Sequence, residues 1–329
     1  MGGPMTSMEL SVIVPVYNEE RVIEVFHRAL VEVLDGLGFP CEIIYVNDGS
    51  RDQTGDRLDA LRASDSRVRL LELSRNFGHQ SALAAGLSRA SGRACVFMDA
   101  DLQDPPALLP RLVERWRAGV EVVYAVRRAR PGDSLFKRWT ARLFYRGLGL
   151  IAGGSLPPDA GDFRLLDRKV VDALIALPER HRYFRGLVSW VGFRQEGVPF
   201  DRPARAAGET KFTLWKMIRF AVDGVTSFSH VPLRLVTLAG FAASAGSAVL
   251  LAWAFYVKFV AHRTVQGWTS LIAVVLLMGG AQFLALGILG EYLARVLDET
   301  KGRPLFLVRR AAGFGEAAAD RPPRPESRA

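Results

Sequence analysis

Apolar positions between residues 10 and 127 fall into short unbroken runs separated by stretches of helical spacing. "LSVIVPVYN", "CEIIYVNDGS", "RVRLLELSRNFG", "ACVFMDAD" and "VEVVYAVR" each hold a core of Val, Ile, Leu, Phe or Tyr without apolar-polar alternation, the mark of strands buried on both faces. "EERVIEVFHRALVEVLDGLG" repeats its apolar residues at helical spacing and ends in glycines. Further helices are predicted around Thr54–Ala63, through "QSALAAGLSRA", and from the prolines after Asp104 to near Gly119. This β-α-β-α series predicts a mainly parallel sheet covered by helices. Ligands of such sheets bind beyond the carboxyl ends of the strands. The polar clusters stand there: "YNEE", "NDGS", "SRNFG", "DADLQD" and "RRAR" after the first to fifth strands.

A different pattern governs the second half. No charged residue occurs from Leu235 to Val257 or from Trp268 to Gly290, and each run exceeds the ~20 residues that cross a ~30 Å hydrocarbon core. Two buried helices of a large soluble protein would look similar. The tandem arrangement, the small residues suited to close helix contact (Gly240, Gly246, Gly279, Gly280, Gly287) and Trp268 at one edge favour a transmembrane hairpin. Lys211, Lys216, Arg219 and Arg234 precede it, and Arg295, Lys301, Arg303, Arg309 and Arg310 follow, whereas the connecting loop holds only Lys258 and Arg263. The positive-inside rule therefore places both termini and the soluble mass in the cytoplasm. "LFKRWTARLFYRGLGLI" and "KFTLWKMIRFAVDGVTSF" separate cationic from apolar stripes, as interfacial helices in the headgroup layer do; packing on the sheet is the other reading of each. "MGGPMTSMEL" lacks the basic start and apolar core of a signal peptide, and "GEAAADRPPRPESRA" reads as a disordered polar tail.

Lys and Arg outnumber Asp and Glu by 43 to 34, for a net charge of +9, which suits an anionic partner. Cys41 and Cys95 lie in apolar runs as buried thiols do, with no disulfide framework, so a reducing compartment is expected.

In this basic chain the acidic stretch "FMDADLQDPP" stands out. Asp99 and Asp101 project to one side of an extended segment, where a divalent cation bridges carboxylates to a diphosphate; a solvated turn is the plainer reading. Gln103 adds a neutral oxygen, and Asp104 before two prolines is read as a helix cap. Asp48 in "NDGS" is either a turn residue or an acceptor for a nucleotide base or ribose, and Ser50 with Gln53 has the spacing of a capping box.

Together with "VIVPVYNEE", "LSRNFGHQSALAAGL", "GDFRLLDR", "GETKFTLWKMIRFAVDGVTSFS" and "GILGEYLARVLDETKGRP", these segments resemble glycosyltransferase family 2 from about Leu10 to about Val308. More narrowly, they resemble its polyprenyl-phosphate glycosyltransferases, the group similar to dolichyl-phosphate mannose synthase, in the bacterial type with two C-terminal transmembrane helices. The resemblance implies a Rossmann-like GT-A domain of the α/β class at 9–210 after a short tail (1–8), an interfacial helix at 211–232, two transmembrane helices within 233–292, and a cytoplasmic C-terminal segment at 293–329.

The implied reaction is inverting, metal-dependent transfer of a sugar from a nucleotide-diphosphate sugar to the phosphate of a membrane polyprenol such as undecaprenyl phosphate. UDP-glucose is the first candidate donor and GDP-mannose the alternative. Pro15, Tyr17, Glu19, Asp48, Asp99, Arg202, Arg205 and Lys211 match nucleotide-sugar positions. Asp99, Asp101 and Gln103 match the site for Mg2+ or Mn2+, with Asp101 also catalytic. Arg127, Arg130, Ser134 and Lys137 match the acceptor-phosphate pattern, while a basic membrane-facing surface is the plainer reading of that segment. Asp162 falls beside the acceptor as base or organiser, with Arg164 as its partner, though alone it reads as a helix cap. Tyr183 and Arg185 resemble part of the segment that closes over the donor diphosphate, with the Gly208 region as its lid.

The resemblance also allows a homo-oligomer such as a tetramer, which the small-residue faces permit and the sequence does not require. A nucleic-acid enzyme is disfavoured by the membrane pair and the lack of a recognition motif, and a dinucleotide oxidoreductase by "PVYNEE" where Gly-x-Gly-x-x-Gly belongs. A processive polysaccharide synthase calls for more membrane helices. The alternative of another class, an inactive membrane scaffold or flippase partner, is disfavoured by the presence of both Asp99 and Asp101.

Overall fold

The apolar runs become strands whose burial explains their composition: β1 (Leu10–Val16) and β2 (Cys41–Asn47) are covered along their whole length. The computed structural model describes residues 8–127, 160–180, 182–200, 231–260 and 267–314. The expected segments at 135–151 and 211–228 lie outside them, as do Arg130, Ser134, Lys137, Arg202, Arg205, Gly208, Lys211 and the polar tail. The chain divides into two units: residues 1–150, 154–212 and 304–329, and residues 151–153 and 213–303.

The first unit is built on an eight-stranded sheet of order β7-β5-β6-β4-β1-β2-β3-β8, in which β3 is Val68–Leu73, β4 Ala94–Phe97, β5 Val122–Arg127, β6 Ala160–Asp167, β7 Gln195–Phe200 and β8 Val308–Ala312. β4, β1, β2 and β3 run parallel to one another, as β5 and β7 do. β6 lies antiparallel between β4 and β5, and β8 antiparallel on β3. The carboxyl ends of β1 to β5 and β7 therefore share one edge of the sheet with the amino end of β6.

Helix α1 (Ile23–Leu37) buries Ile23, Phe26, Leu30 and Leu34 and ends at Gly38 in the left-handed region, φ 69°, as its glycine ending predicts. α2 (Thr54–Ser64), α3 (His79–Arg89), α4 (Leu109–Arg117), α5 (Arg168–Ala176) and α6 (Phe184–Trp190) complete the cover. One side of the sheet packs Phe26, Tyr45 and Phe163 into a continuous core, and both cysteines are free and buried, as expected.

Four local expectations change. β6 supplies a strand where a helix cap at Asp162 is predicted, so Asp162 is a strand residue and Asp167 is the cap, accepting from the Lys169 N–H. Val308–Ala312, expected only as part of a cytoplasmic segment, extends the sheet through β8. The turn after Asp104 is capped at Pro105 with Pro106 opening it, one residue later than predicted. The capping box at α2 does not form: Ser50 Oγ accepts from the Asn18 N–H at 3.0 Å, and Asp52 takes the Thr54 N–H at 3.1 Å.

In the second unit, α7 (Val231–Phe255) continues through one wider turn, Tyr256–Val260, and α8 spans Trp268–Thr300. α8 outlasts its predicted end because nothing breaks it before Gly302, φ 61°. Each carries a stretch long and apolar enough to cross a membrane. Phe241, Leu277 and Phe283 stay more than 70% exposed, an apolar surface that no described residue covers. The five small residues expected at close contacts have open space where a Cβ would stand, with no neighbour within 4 Å among the described residues.

Candidate active site

At the shared sheet edge, the loops after β1 and β2 hold each other. Asn18, left-handed at φ 55°, accepts the Arg51 N–H at 2.9 Å. Thr54 Oγ1 accepts the Glu19 N–H at 2.9 Å, and Asp52 and Glu20 exchange further backbone bonds with the opposite loop. Tyr17 is left exposed at the end of β1. Pro15 is buried inside β1 and has no N–H to donate. The β1–β4 ladder accordingly stops at Ile13, whereas β1–β2 runs on to Val16. Of the nucleotide-site candidates, Pro15 shapes the strand end, and Tyr17 and Glu19 stand at the loop.

Asp48 is buried under these loops, with Oδ1 accepting from the Phe77 N–H at 2.7 Å and Oδ2 from the Gly78 N–H at 2.9 Å. Burial pushes its carboxyl up, against those two bonds, which favour the anion. Asp48 thus fixes the loop leading into α3, and each oxygen keeps a lone pair for a ligand. Gly49 makes the crossing possible. At φ 69° its missing Cβ would lie 2.5 Å from the Arg75 carbonyl carbon. Gly49→Ala is expected to destabilise the fold by roughly 1–3 kcal/mol, read by thermal unfolding in detergent.

Asp99 and Asp101 stand just beyond β4. Asp101 Oδ1 accepts the Gln103 N–H at 3.0 Å, closing a tight turn over Leu102, whose φ of 59° is unusual for a branched side chain. Leu102 packs on the core, which holds that strained residue in place. Gln103 is buried and its Nε2 meets no acceptor among the described residues. Burial pushes the Asp99 carboxyl up; His79 opposes this, and Asp162 and Asp101 add to it.

Asp162 arrives opposite through the antiparallel register. Ala94 pairs with Asp167 and Phe97 with Arg164, so two further steps set Asp99 against Asp162. Arg185 of α6 grips Asp162 with both arms of its fork, Nε to Oδ1 at 2.8 Å and Nη2 to Oδ2 at 2.9 Å. His79, first residue of α3, sits between the acids, with Nε2 3.7 Å from an oxygen of each. Burial opposes charge on His79, but Asp162 and Asp99 outweigh it and raise its pKa. The Asp162 carboxyl is held far below the usual range: burial would raise it, but His79, Arg185 and Arg164 prevail.

Arg164 is buried beneath, donating Nη2 to the Gly161 carbonyl at 2.9 Å. Its pKa is pushed down to about 10 by burial, with Asp162 opposing. The hydrogen-bonded partner of Asp162 is thus Arg185, where the sequence suggests Arg164. Arg185 bonds a carboxylate where closure over the donor is expected.

This arrangement divides the carboxylates. Arg185 and Arg164 already compensate Asp162, whereas neither Asp99 nor Asp101 is hydrogen-bonded to a cationic side chain among the described residues. No group of three His, Cys, Asp or Glu side chains able to hold a metal occurs among them. Two carboxylates beside an amide still suit a hard divalent ion that takes its other oxygens from phosphate and water. The Gln103 N–H group lacking an acceptor suits a phosphate oxygen, so the donor set fits the expected metal and diphosphate. Arg127 ends β5 at the same edge. His79 is the site residue that the sequence left unassigned. Its signal was its place directly after Gly78, opening the helix that follows the third strand.

Residues 11–175 match the family model described as glycosyl transferase family 2. An uncharacterized glycosyltransferase of Bacillus subtilis is 46% identical over 307 residues, covering 93% of this chain and 95% of its own. A prophage bactoprenol glucosyl transferase homolog of Escherichia coli is 40% identical over 303 residues, covering 92% and 99%. A bactoprenol glucosyl transferase of Shigella phage SfII is 40% identical over 304 residues, covering 92% and 98%. Among solved structures, glucosyl-3-phosphoglycerate synthase of Mycobacterium tuberculosis, in complex with Mn2+, UDP and phosphoglyceric acid, shares the fold. Its TM-score is 0.50 at 20% identity, over 67% of this chain and 76% of that one.

Proposed function

The chain belongs to glycosyltransferase family 2, and from that premise we propose that it moves a sugar from a UDP-sugar, glucose first, onto the phosphate of a membrane polyprenol such as undecaprenyl phosphate, with inversion at the anomeric carbon. The observation that carries this reading is the juxtaposition of two carboxylates that no arginine grips among the described residues, Asp99 and Asp101, with an arginine-gripped one, Asp162. The acceptor class and the sugar follow the names of the relatives that align along almost the whole chain.

A divalent cation held by Asp99 and Asp101, with Gln103 beside it, supplies neutralisation of the charge that develops on the departing diphosphate. The loops of Tyr17, Glu19 and Asp48 bind the nucleotide. Arg127, with Arg130, Ser134 and Lys137, binds the acceptor phosphate, whose oxygen is already anionic near neutral pH. Alignment therefore matters more than a strong base. Arg202, Arg205 and Lys211 close on the donor. The hairpin of α7 and α8 spans the inner membrane, with the first unit and both termini on the cytoplasmic side, and copies of the chain assemble through the free small-residue faces.

The test incubates detergent-solubilised protein with undecaprenyl phosphate, Mn2+ or Mg2+ and labelled nucleotide sugars. Label from UDP-glucose should enter the organic phase and stop doing so with chelator. Label from GDP-mannose instead corrects the nucleotide, and label from no donor overturns the reading.

A further inference from the structure

We propose that Arg185 and Gln80 form a brace that holds Asp162 in line with Asp99, making Arg185 a positioning residue for transfer and not a ligand of the donor diphosphate. This rests on the transfer reading above and assigns work to residues outside the carboxylate set. The two-point grip of Arg185 fixes the plane of the Asp162 carboxylate as well as its charge, which a single contact does not.

α6 is too short to be a stable helix alone, so the aim of Arg185 depends on what holds that helix. Two contacts do so at its first residue. The Phe184 N–H donates to Gln80 Oε1 at 2.9 Å, and the Phe184 ring meets Phe97, the last residue of β4, edge-on at 5.3 Å. Gly186, Leu187 and Val188 are buried behind it.

Gln80 is itself placed by α3. Its neighbour His79 lies between Asp99 and Asp162, and the lead-in to α3 is pinned by Asp48. One short stretch, residues 77–80, thereby touches the nucleotide-site floor, both facing acids and the helix that carries Arg185. Without the brace, Asp162 faces the like charge of Asp99 with only the longer 3.7 Å contact of His79 and the charge of Arg164 beside it, and neither fixes the plane of its carboxylate. The unrestrained carboxylate turns away, and the acceptor aligned on it is misplaced.

A double-mutant cycle on Arg185→Ala and Asp162→Asn tests this, read both as transfer kinetics and as melting temperature. Arg185→Ala is expected to lower kcat by about 100-fold, the effect of a misplacement of about 1 Å. The donor KM should change by less than about 3-fold, because the lost interaction is not with the donor. In the Asp162→Asn background the same change should cost little more in either readout, since residues acting as a unit are not additive. Arg185→Lys should recover little, because an ammonium cannot reproduce the fork. Gln80→Ala, which leaves the ion pair in place, should lower kcat without raising the donor KM.

Additive losses overturn the brace, as does a donor KM that rises about 10-fold or more with kcat preserved, the signature of a lost binding contact. Should the wild-type protein transfer no sugar, the transfer reading fails by itself. The melting cycle then decides the brace: coupling supports it, and additivity overturns it.

Discussion

Asp99→Asn and Asp101→Asn are each expected to lower transfer by about 10³-fold or more while leaving the protein folded, because each removes charge from the position facing the departing diphosphate. The amide keeps the shape. At position 101 its oxygen still accepts the Gln103 N–H, so the turn over Leu102 survives. At position 99 the change removes a carboxyl that burial and two neighbouring acids already push toward protonation. Without metal, Asp99→Asn should therefore melt at or slightly above the wild-type temperature. With Mn2+ and UDP the order reverses: the wild type gains stability as RT ln(1 + [L]/Kd), and both variants gain far less. Near-normal turnover by either variant, or equal stabilisation by Mn2+ and UDP, removes the metal from these residues.

What the sequence showed and what it hid divide along the range of the interactions. β1 to β5, α1 and the apolar hairpin are written in local pattern: buried runs, helical spacing and long uncharged stretches. β6 and β8 are not. β6 follows a run rich in glycine and proline, and its place between β4 and β5 depends on pairing partners far apart in the chain. "VRRAA" of β8 becomes a strand only because the β3 edge is open to it, with Arg310 reaching Asp59 and Glu72.

The same limit governs the site. "DADLQ" announces itself because carboxylates at a strand end need a reason. His79 and Arg185 are ordinary residues of a helix start until the β6 register carries Asp162 to them. Arg164 is the nearer cation in sequence, two residues along the strand, yet its fork points to the Gly161 carbonyl and the grip comes from another helix. Asp48 shows the converse. Its turn reading and its nucleotide reading do not compete, because each oxygen that ties the loop down keeps a lone pair.

Asp162→Asn, the other substitution of largest effect, is expected to cost both turnover and stability. It leaves Arg185 and the buried Arg164 without their shared counter-charge, and removing one partner of a buried pair costs about 3–5 kcal/mol. The pH dependence follows from the sign of the shift. The folded-state pKa of Asp162 lies below its unfolded value of about 3.9, so its contribution to stability is full above that pH and is lost as pH falls toward the folded value. The wild type should thus lose its advantage over Asp162→Asn only below about pH 4.

A carboxylate held so far into its ionised form is a poor proton acceptor, which favours an organising role for Asp162 over a basic one. Any acidic limb in turnover then belongs to the second ionisation of the lipid phosphate, near pH ~6. Transfer measured from pH 5 to pH 9 in both proteins separates the two roles. If Asp162 organises, the residual activity of Asp162→Asn, down about 10²- to 10³-fold, keeps the wild-type limb. If Asp162 is the base, the wild type takes the singly protonated phosphate and shows no limb above pH 5, and Asp162→Asn gains one near pH ~6.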